Sequence, residues 1–439
     1  MPTMSQTIKL PNLRPDQWGI AFSDHQWNVV RCGRRYGKSY ILRYLAGDAL
    51  LKGQLVGVYA PQFATLTKTY NEIYGDIEPV VTGSNKGHLI ESKVTGGGID
   101  FWSLESGLFG RGREYDLLLF DETAFTKDGT LEIYRDAISP VVATRPGFRM
   151  FSFSTPLVMD LSNFFYALHE HKDYKWNPKI GADNYERFKV HHRPSWCNPL
   201  VDDKWLRGEY RKRSALSWRQ EIEGEFVDWS GISLFPNLNK PVDPHPRYDA
   251  VFAVIDTAMK SGIEHDGTAC MWLGYSDVFG PDNLHILDWE VTSLDASGQY
   301  DWLKRILNHG EALARHYKSH QGFTVAYIED KQSGIVLLQQ GKESGLPVEA
   351  INSKFTALGK DERMRICVDP VHANRVKFVH ESFNKLVEFK NESKNHALKQ
   401  ILSYRIGDKE AYKRADDLAD CFAYSVIQTL VPELSNKNN

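Results

Sequence analysis

Short, mainly apolar runs alternate with stretches whose apolar residues recur every three or four positions. Residues 27–31 (WNVVR) form a valine-rich run. From Ser39 the apolar positions Ile41, Leu42, Leu45, Ala46, Ala49 and Leu50 share one helical stripe, and Gly53 stops it. The pattern predicts a buried strand feeding a helix. Residues 55–62 (LVGVYAPQ), 115–122 (YDLLLFDE) and 148–156 (FRMFSFSTP) read as further buried strands. In the second half, residues 250–258 (AVFAVIDTA) and 325–334 (VAYIEDKQSG) do the same. Residues 414–430 read as a helix that docks Leu418, Phe422, Tyr424, Ile427 and Leu430 on a sheet. Strands alternating with helical stripes predict an α/β chain.

The turn between the first strand and its helix is RCGRRYGKS. It ends in Gly37-Lys38-Ser39, as a phosphate loop G-x-x-x-x-G-K-[ST] does, but Cys32 stands where the first glycine belongs and Gly33 comes one place late. A helix N-terminus at this point offers free N–H groups and positive dipole to phosphates. Lys38 would reach the β/γ-phosphates and Ser39 would ligate Mg²⁺. The run at 115–122 ends in Asp121-Glu122. Asp121 suits the Mg²⁺ water shell, and Glu122 suits orienting or deprotonating the attacking water. A buried strand running into an acidic turn is the ordinary alternative. Ser154-Thr155-Pro156 ends the third run; its hydroxyls could sense a γ-phosphate, or the proline could mark a plain strand exit.

The second half places acids at the ends of three elements: Asp256, then Glu329 with Asp330, then Asp416, Asp417 and Asp420 in the first turn of the last helix. Residues 417 and 420 are three apart and share a helix face. Hard oxygen donors converging in this way hold Mg²⁺ or Mn²⁺. Two such ions can activate water and stabilise the leaving oxygen in phosphodiester cleavage. Each acid alone is more often a turn or helix cap; as a set, Asp256, Glu329 and Asp417 are the expected catalytic ligands, Asp420 fits the D-x-x-D pattern, and Asp416 is a near neighbour that could substitute. Asp266 has at most a supporting role. The histidines give no legible metal site, because adjacent His191 and His192 in a strand point opposite ways.

At 439 residues the chain is too long for one core and suits two or three domains. The net charge of −3 excludes a wholly basic nucleic-acid coat but not a local basic channel. Five dispersed cysteines without metal-ligand spacing suit a reduced cytosol. No apolar run approaches the ~18 residues that cross a bilayer, and the N-terminus lacks a signal-peptide pattern.

Gln17 in LRPDQ, GRRYGKS, APQ, GRGREYDLLLFDE and FSTP, in that order, resemble the large terminase subunit of tailed bacteriophages. That family often lacks the first glycine of the phosphate loop and carries arginine within it, so Cys32 agrees with the resemblance. The acids Asp256, Glu329 and D-x-x-D resemble an RNase H/RuvC-like nuclease. The resemblance, over residues 13–430, implies a P-loop NTPase (ASCE-type) domain over 1–194 and a small helical linker subdomain over 195–230. A linker at 231–247, an RNase H-like nuclease domain at 248–431 and a flexible tail at 432–439 would follow. It implies ATP as substrate, Mg²⁺ with Mn²⁺ an option at the nuclease site, Arg34 as an in-chain arginine finger and Gln17 as an adenine reader. Gly33, Arg34, Arg35, Tyr36, Gly37, Lys38 and Ser39 would form the nucleotide loop, with Asp121 and Glu122 opposite. Residues 354–365 (KFTALGKDERMR) resemble a family stretch that grips phosphates; a solvated charge run is the plain alternative. The same holds for the basic residues Arg207, Arg211, Lys212, Arg213 and Arg219. Implied partners are double-stranded DNA, a portal protein, a small terminase subunit and sister copies in a homo-pentamer, with a monomer when free. There is no membrane partner, and the implied setting is the host cytoplasm. The alternative is a helicase-nuclease of repair or defence, which would need helicase motifs after FSTP.

Overall fold

A computed structural model of the chain describes residues 8–84, 88–105, 110, 112–127, 129–157, 159–170, 188–257, 267–294, 296–331, 333–408 and 415–431. Asp266, Arg414 and the tail at 432–439 lie outside these residues. The chain divides into two compact units, Met1–Gly208 with Ala215–Asp228, and Glu209–Ser214 with Trp229–Asn439.

Among the described residues, the first unit is built on eight strands: β1 (Trp27–Cys32), β2 (Leu55–Ala60), β3 (Val81–Ser84), β4 (Leu89–Ser92), β5 (Gly98–Ser103), β6 (Leu117–Asp121), β7 (Arg149–Ser154) and β8 (Phe188–Arg193). They order as β3-β4-β5-β2-β6-β7-β1-β8, and only the β3–β4 and β4–β5 pairs are antiparallel. The apolar runs are explained by cover on both faces. Val30, Leu119, Val56 and Val58 face one core with Ile41, Leu42 and Leu45 of the helix Lys38–Leu51. Val29, Leu118 and Phe120 face another with Phe164, Phe165 and Leu168. Fully burying a side chain of this size contributes about 1.5–3 kcal/mol. Inserting β7 between β1 and β6 is the ASCE-type P-loop arrangement. It sets the hydroxyl-bearing end of β7 between the lysine loop and the Asp-Glu pair.

The second unit carries β9 (Ala250–Asp256), β10 (Thr268–Tyr275), β11 (Leu284–Thr292), β12 (Phe323–Ile328), β13 (Val348–Ala350) and β14 (Val376–Phe378), ordered β13-β12-β9-β10-β11-β14. β9, β10 and β11 pair antiparallel in succession, while β12 joins β9 and β13 in parallel. This is the RNase H-like sheet, with β14 added beside β11. Val251, Ala253 and Ile255 of β9 pack on Trp302, Leu303 and Ile306 of the helix Gln299–His316. The helix Asp417–Leu430 lies against β9 and β10. Its bounds put Asp416 at the N-cap instead of in the first turn.

The proline-rich stretch at 231–247 is packed: Leu234, Phe235 and Leu238 are buried, and the Phe235 ring meets Phe422 at 5.3 Å. Among the described residues no helix is long and apolar enough to cross a membrane.

Candidate functional site

The loop between β1 and its helix is tied down at every residue. The Gly33 N–H donates to the Arg193 carbonyl at 3.0 Å, and the Arg34 N–H to the Glu221 carbonyl at 2.8 Å. The Arg35 carbonyl accepts from the Asn198 amide at 2.7 Å, the Tyr36 carbonyl from Arg14 Nη2 at 3.0 Å, and the Gly37 carbonyl from Gln17 Nε2 at 3.2 Å. A loop held in this way presents the amides at the helix start, which have no intrahelical acceptors and suit an anion. Gly37 takes φ 104°, a left-handed conformation that glycine adopts without strain.

Gly33 has a different reason to be glycine. A Cβ there would lie 2.0 Å from the Ile222 carbonyl oxygen and 2.5 Å from Ser195 Oγ. The turn Arg219–Glu223 is pressed against the loop, so the displaced glycine serves packing. Gly33→Ala is expected to destabilise the first unit by about 1–3 kcal/mol through overpacking. Thermal melting checks this, and an unchanged melting temperature contradicts it.

The expected residues of the loop do not all face the same way. Lys38 is buried; its Nζ donates to Thr155 Oγ1 at 2.9 Å and lies 4.0 Å from Glu122 Oε1. Ser39 lies in the first turn of the helix and is exposed. Arg34 forms an ion pair with Glu221, so reaching a phosphate requires exchanging that partner. Gln17 is buried with both ends of its amide engaged, by Gly37 and by the Arg14 N–H at 3.0 Å. Tyr36 is buried and donates to Asp16 Oδ2 at 2.7 Å.

Asp121 ends β6, and Glu122 follows it at φ 49°, a conformation a non-glycine residue holds at some cost. Burial, then the neighbouring Glu122 charge, push the Asp121 carboxyl up to about 7, while Lys38 and a 3.4 Å bond from Thr69 Oγ1 oppose the rise. Ser154 Oγ donates to Glu122 Oε2 at 3.4 Å and accepts from the Ala124 N–H at 3.1 Å. The two hydroxyls ending β7 thus divide: Thr155 holds the lysine and Ser154 holds the glutamate.

The second unit gathers Asp256, Glu329, Asp417 and Asp420. Burial, followed by the charges of Asp420, Asp417 and Glu329, holds the Asp256 carboxyl well above the usual carboxylate range. Asp256 thus sits among oxygen donors crowded enough that its own ionisation is resisted, the crowding that a hard divalent cation relieves. Other side chains steady them. Tyr424 OH donates to Glu329 Oε1 at 2.7 Å, Lys331 Nζ lies 3.0 Å from the same oxygen, and the Gly267 N–H donates to Asp417 Oδ2 at 3.1 Å.

Two basic residues of the 354–365 stretch turn inward. Lys360 pairs with Asp416 and, at 2.7 Å, with Asp420 Oδ2; Arg363 Nη2 lies 2.7 Å from Asp420 Oδ1. Burial pulls the Lys360 ammonium down, but Asp420 and Asp416 outweigh it and its pKa is raised. Lys360 is therefore bonded to acids of the cluster. In the basic segment before 220, Arg213 pairs with Glu209 and Asp369, and Arg219 with Glu225. Thr69, Asn198, Glu221 and Tyr424 carry no sequence signal of their roles, since each reaches its partner from a distant segment.

No family model and no curated protein matches the chain. Among solved structures, it is similar to the large terminase from a thermophilic bacteriophage. One crystal form aligns over 97% of this chain and 100% of that one, with a TM-score of 0.68 at 12% identity. The ADP complex of that protein aligns over 96% and 100%, with a TM-score of 0.66 at 12% identity. Its ATP-gamma-S complex aligns over 95% and 99%, with a TM-score of 0.64 at 12% identity. The likeness is one of fold and runs nearly end to end.

Proposed function

We propose that this chain, which shares its fold nearly end to end with a phage large terminase, is itself the large subunit of a DNA-packaging terminase. ATP hydrolysis in the first unit moves double-stranded DNA into a procapsid, and the second unit cuts concatemeric DNA. The observation that carries the reading is the pairing, in one chain, of a lysine loop facing an Asp-Glu strand end with a buried acid cluster on an RNase H-like sheet.

In the first unit Lys38 and the amides at the helix start bind the ATP phosphates. Ser39 and Asp121 hold Mg²⁺. Glu122, kept in place by Ser154, orients the attacking water and takes its proton. Arg34 supplies charge to the phosphates once it leaves Glu221, and Gln17 positions the loop next to the adenine site. In the second unit Asp256, Glu329 and Asp417 hold Mg²⁺ or Mn²⁺, with Asp420 and Asp416 beside them. When bound, these ions activate water and stabilise the leaving oxygen.

The same reading brings a portal protein, a small terminase subunit and a homo-pentameric arrangement, in the host cytoplasm. Cleavage of supercoiled plasmid in Mg²⁺ or Mn²⁺, with ATP hydrolysis measured alongside, tests it; a chain inactive in both contradicts it.

Lys360 gives a further test. Its ammonium competes with a metal ion for Asp416 and Asp420. The Lys360→Ala variant is expected to bind Mn²⁺ about tenfold more tightly, the equivalent of ~1.4 kcal/mol, as read by calorimetry. Unchanged affinity would mean that these two acids take no part in holding the ion.

A further inference from the structure

Away from the acid cluster, the second unit brings two imidazoles and a carboxylate together. His245 lies in the stretch before β9, while Asp282 and His285 flank the start of β11. One ligand atom from each lies within 4.8 Å of the others. His285 Nε2 is 3.1 Å from Asp282 Oδ2, and His245 Nε2 is 2.9 Å from the Asp282 carbonyl oxygen. The two imidazole rings stack with centroids 4.1 Å apart.

The surroundings fix these groups. Asp282 sits on a tight turn: the Ser276 N–H donates to the Asn283 carbonyl at 2.9 Å, and the Asn283 amide donates to the Ser276 carbonyl at 3.0 Å. Arg375 Nε braces Asn283 from β14's side at 3.0 Å. Gly280, at φ 72°, leaves space for the carboxylate, because a Cβ there would be 2.9 Å from Asp282 Oδ1. His285 is fully buried, and its other ring nitrogen lies 2.8 Å from Tyr248 OH. That hydroxyl also accepts the His245 N–H at 3.2 Å. A metal-bound imidazole usually has such a partner on its second nitrogen, which fixes the ring's orientation.

We propose that His245, Asp282 and His285 form a binding site for a transition-metal dication of the Zn²⁺ type, separate from the acid cluster. Two imidazoles with one carboxylate favour Zn²⁺ or Co²⁺ over Mg²⁺. Tetrahedral bonds of about 2.0–2.2 Å require the three ligand atoms to draw closer than 4.8 Å and the stacked rings to turn toward the ion. The Asp282 carbonyl oxygen or a water completes the four. The ion would clip the stretch before β9 to the entry of β11, a structural role. The site stands independently of the packaging reading.

The test uses the full chain after dialysis against EDTA. Zn²⁺ binding is followed by calorimetry, Co²⁺ binding by its visible absorption, and stability by thermal melting. The wild type is expected to bind one Zn²⁺ at this site, to melt higher with it, and to give the intense Co²⁺ spectrum of a tetrahedral site. His245→Ala, at a partly exposed position, and Asp282→Asn are each expected to weaken binding at least about a hundredfold and to lose that spectrum. Asp256→Asn is expected to keep both. The proposal is overturned if the wild type binds neither metal, if Asp256→Asn removes all the binding, or if His245→Ala and Asp282→Asn bind as the wild type does.

Discussion

The Lys38→Ala chain is expected to lose ATP hydrolysis by on the order of a thousandfold, the scale for removing a transition-state charge partner from a dry site. Lys38 is the buried cation facing Glu122, and Thr155 aims it. Its removal also takes away a positive charge that holds down the Asp121 carboxyl. Asp121 would then ionise still less readily, and Mg²⁺ would bind more weakly near neutral pH. Phosphate release against wild type measures the first effect, and Mg²⁺ dependence at two pH values the second. A variant that hydrolyses ATP at the wild-type rate removes the nucleotide reading.

The pH dependence has a definite sign. Asp121 ionises at about 7 in the fold against an ordinary value of 3.8. The folded state therefore holds its proton more tightly than the unfolded state does. This group's contribution to stability is full below about pH 4 and is lost as pH rises through about 7. Asp121→Asn is expected to flatten that part of the profile in nucleotide-free protein.

The second large effect is at Asp256. Asp256→Asn is expected to abolish plasmid cutting, by on the order of a thousandfold or more, and to raise the melting temperature of the metal-free chain. Both follow from the same crowding: Asp256 is buried among Asp420, Asp417 and Glu329. A neutral amide of similar shape relieves the repulsion and removes a ligand. Loss of activity with gain of stability marks a site whose charges are kept for chemistry. Loss of both would instead make Asp256 a structural residue.

Strand ends were legible because their signals are local. FDE after LLL, and D after AVFAVI, placed Asp121, Glu122 and Asp256 at the ends of β6 and β9 without knowledge of the fold. The braces beneath the phosphate loop were not legible. Asn198 and Glu221 reach it from distant stretches of chain, and a glycine displaced by one place behind Cys32 carries no sign of the Ile222 carbonyl that Gly33 must clear. Lys360 and Arg363 are a different case. Charges at helical spacing look solvated, and only the packing of the helix Lys360–His372 on Asp417–Leu430 turns them onto Asp416 and Asp420. His245 and His285, far apart in sequence and in different elements, gave no motif spacing at all.

Crossed variants decide whether one chain carries two separate chemistries. ATP hydrolysis and supercoiled-plasmid cleavage would be measured together in wild type, Lys38→Ala and Asp256→Asn. Lys38→Ala is expected to lose hydrolysis and keep metal-dependent cutting, while Asp256→Asn loses cutting and keeps hydrolysis. Cutting that survives in Asp256→Asn, or hydrolysis that survives in Lys38→Ala, would overturn the division of labour between the two units.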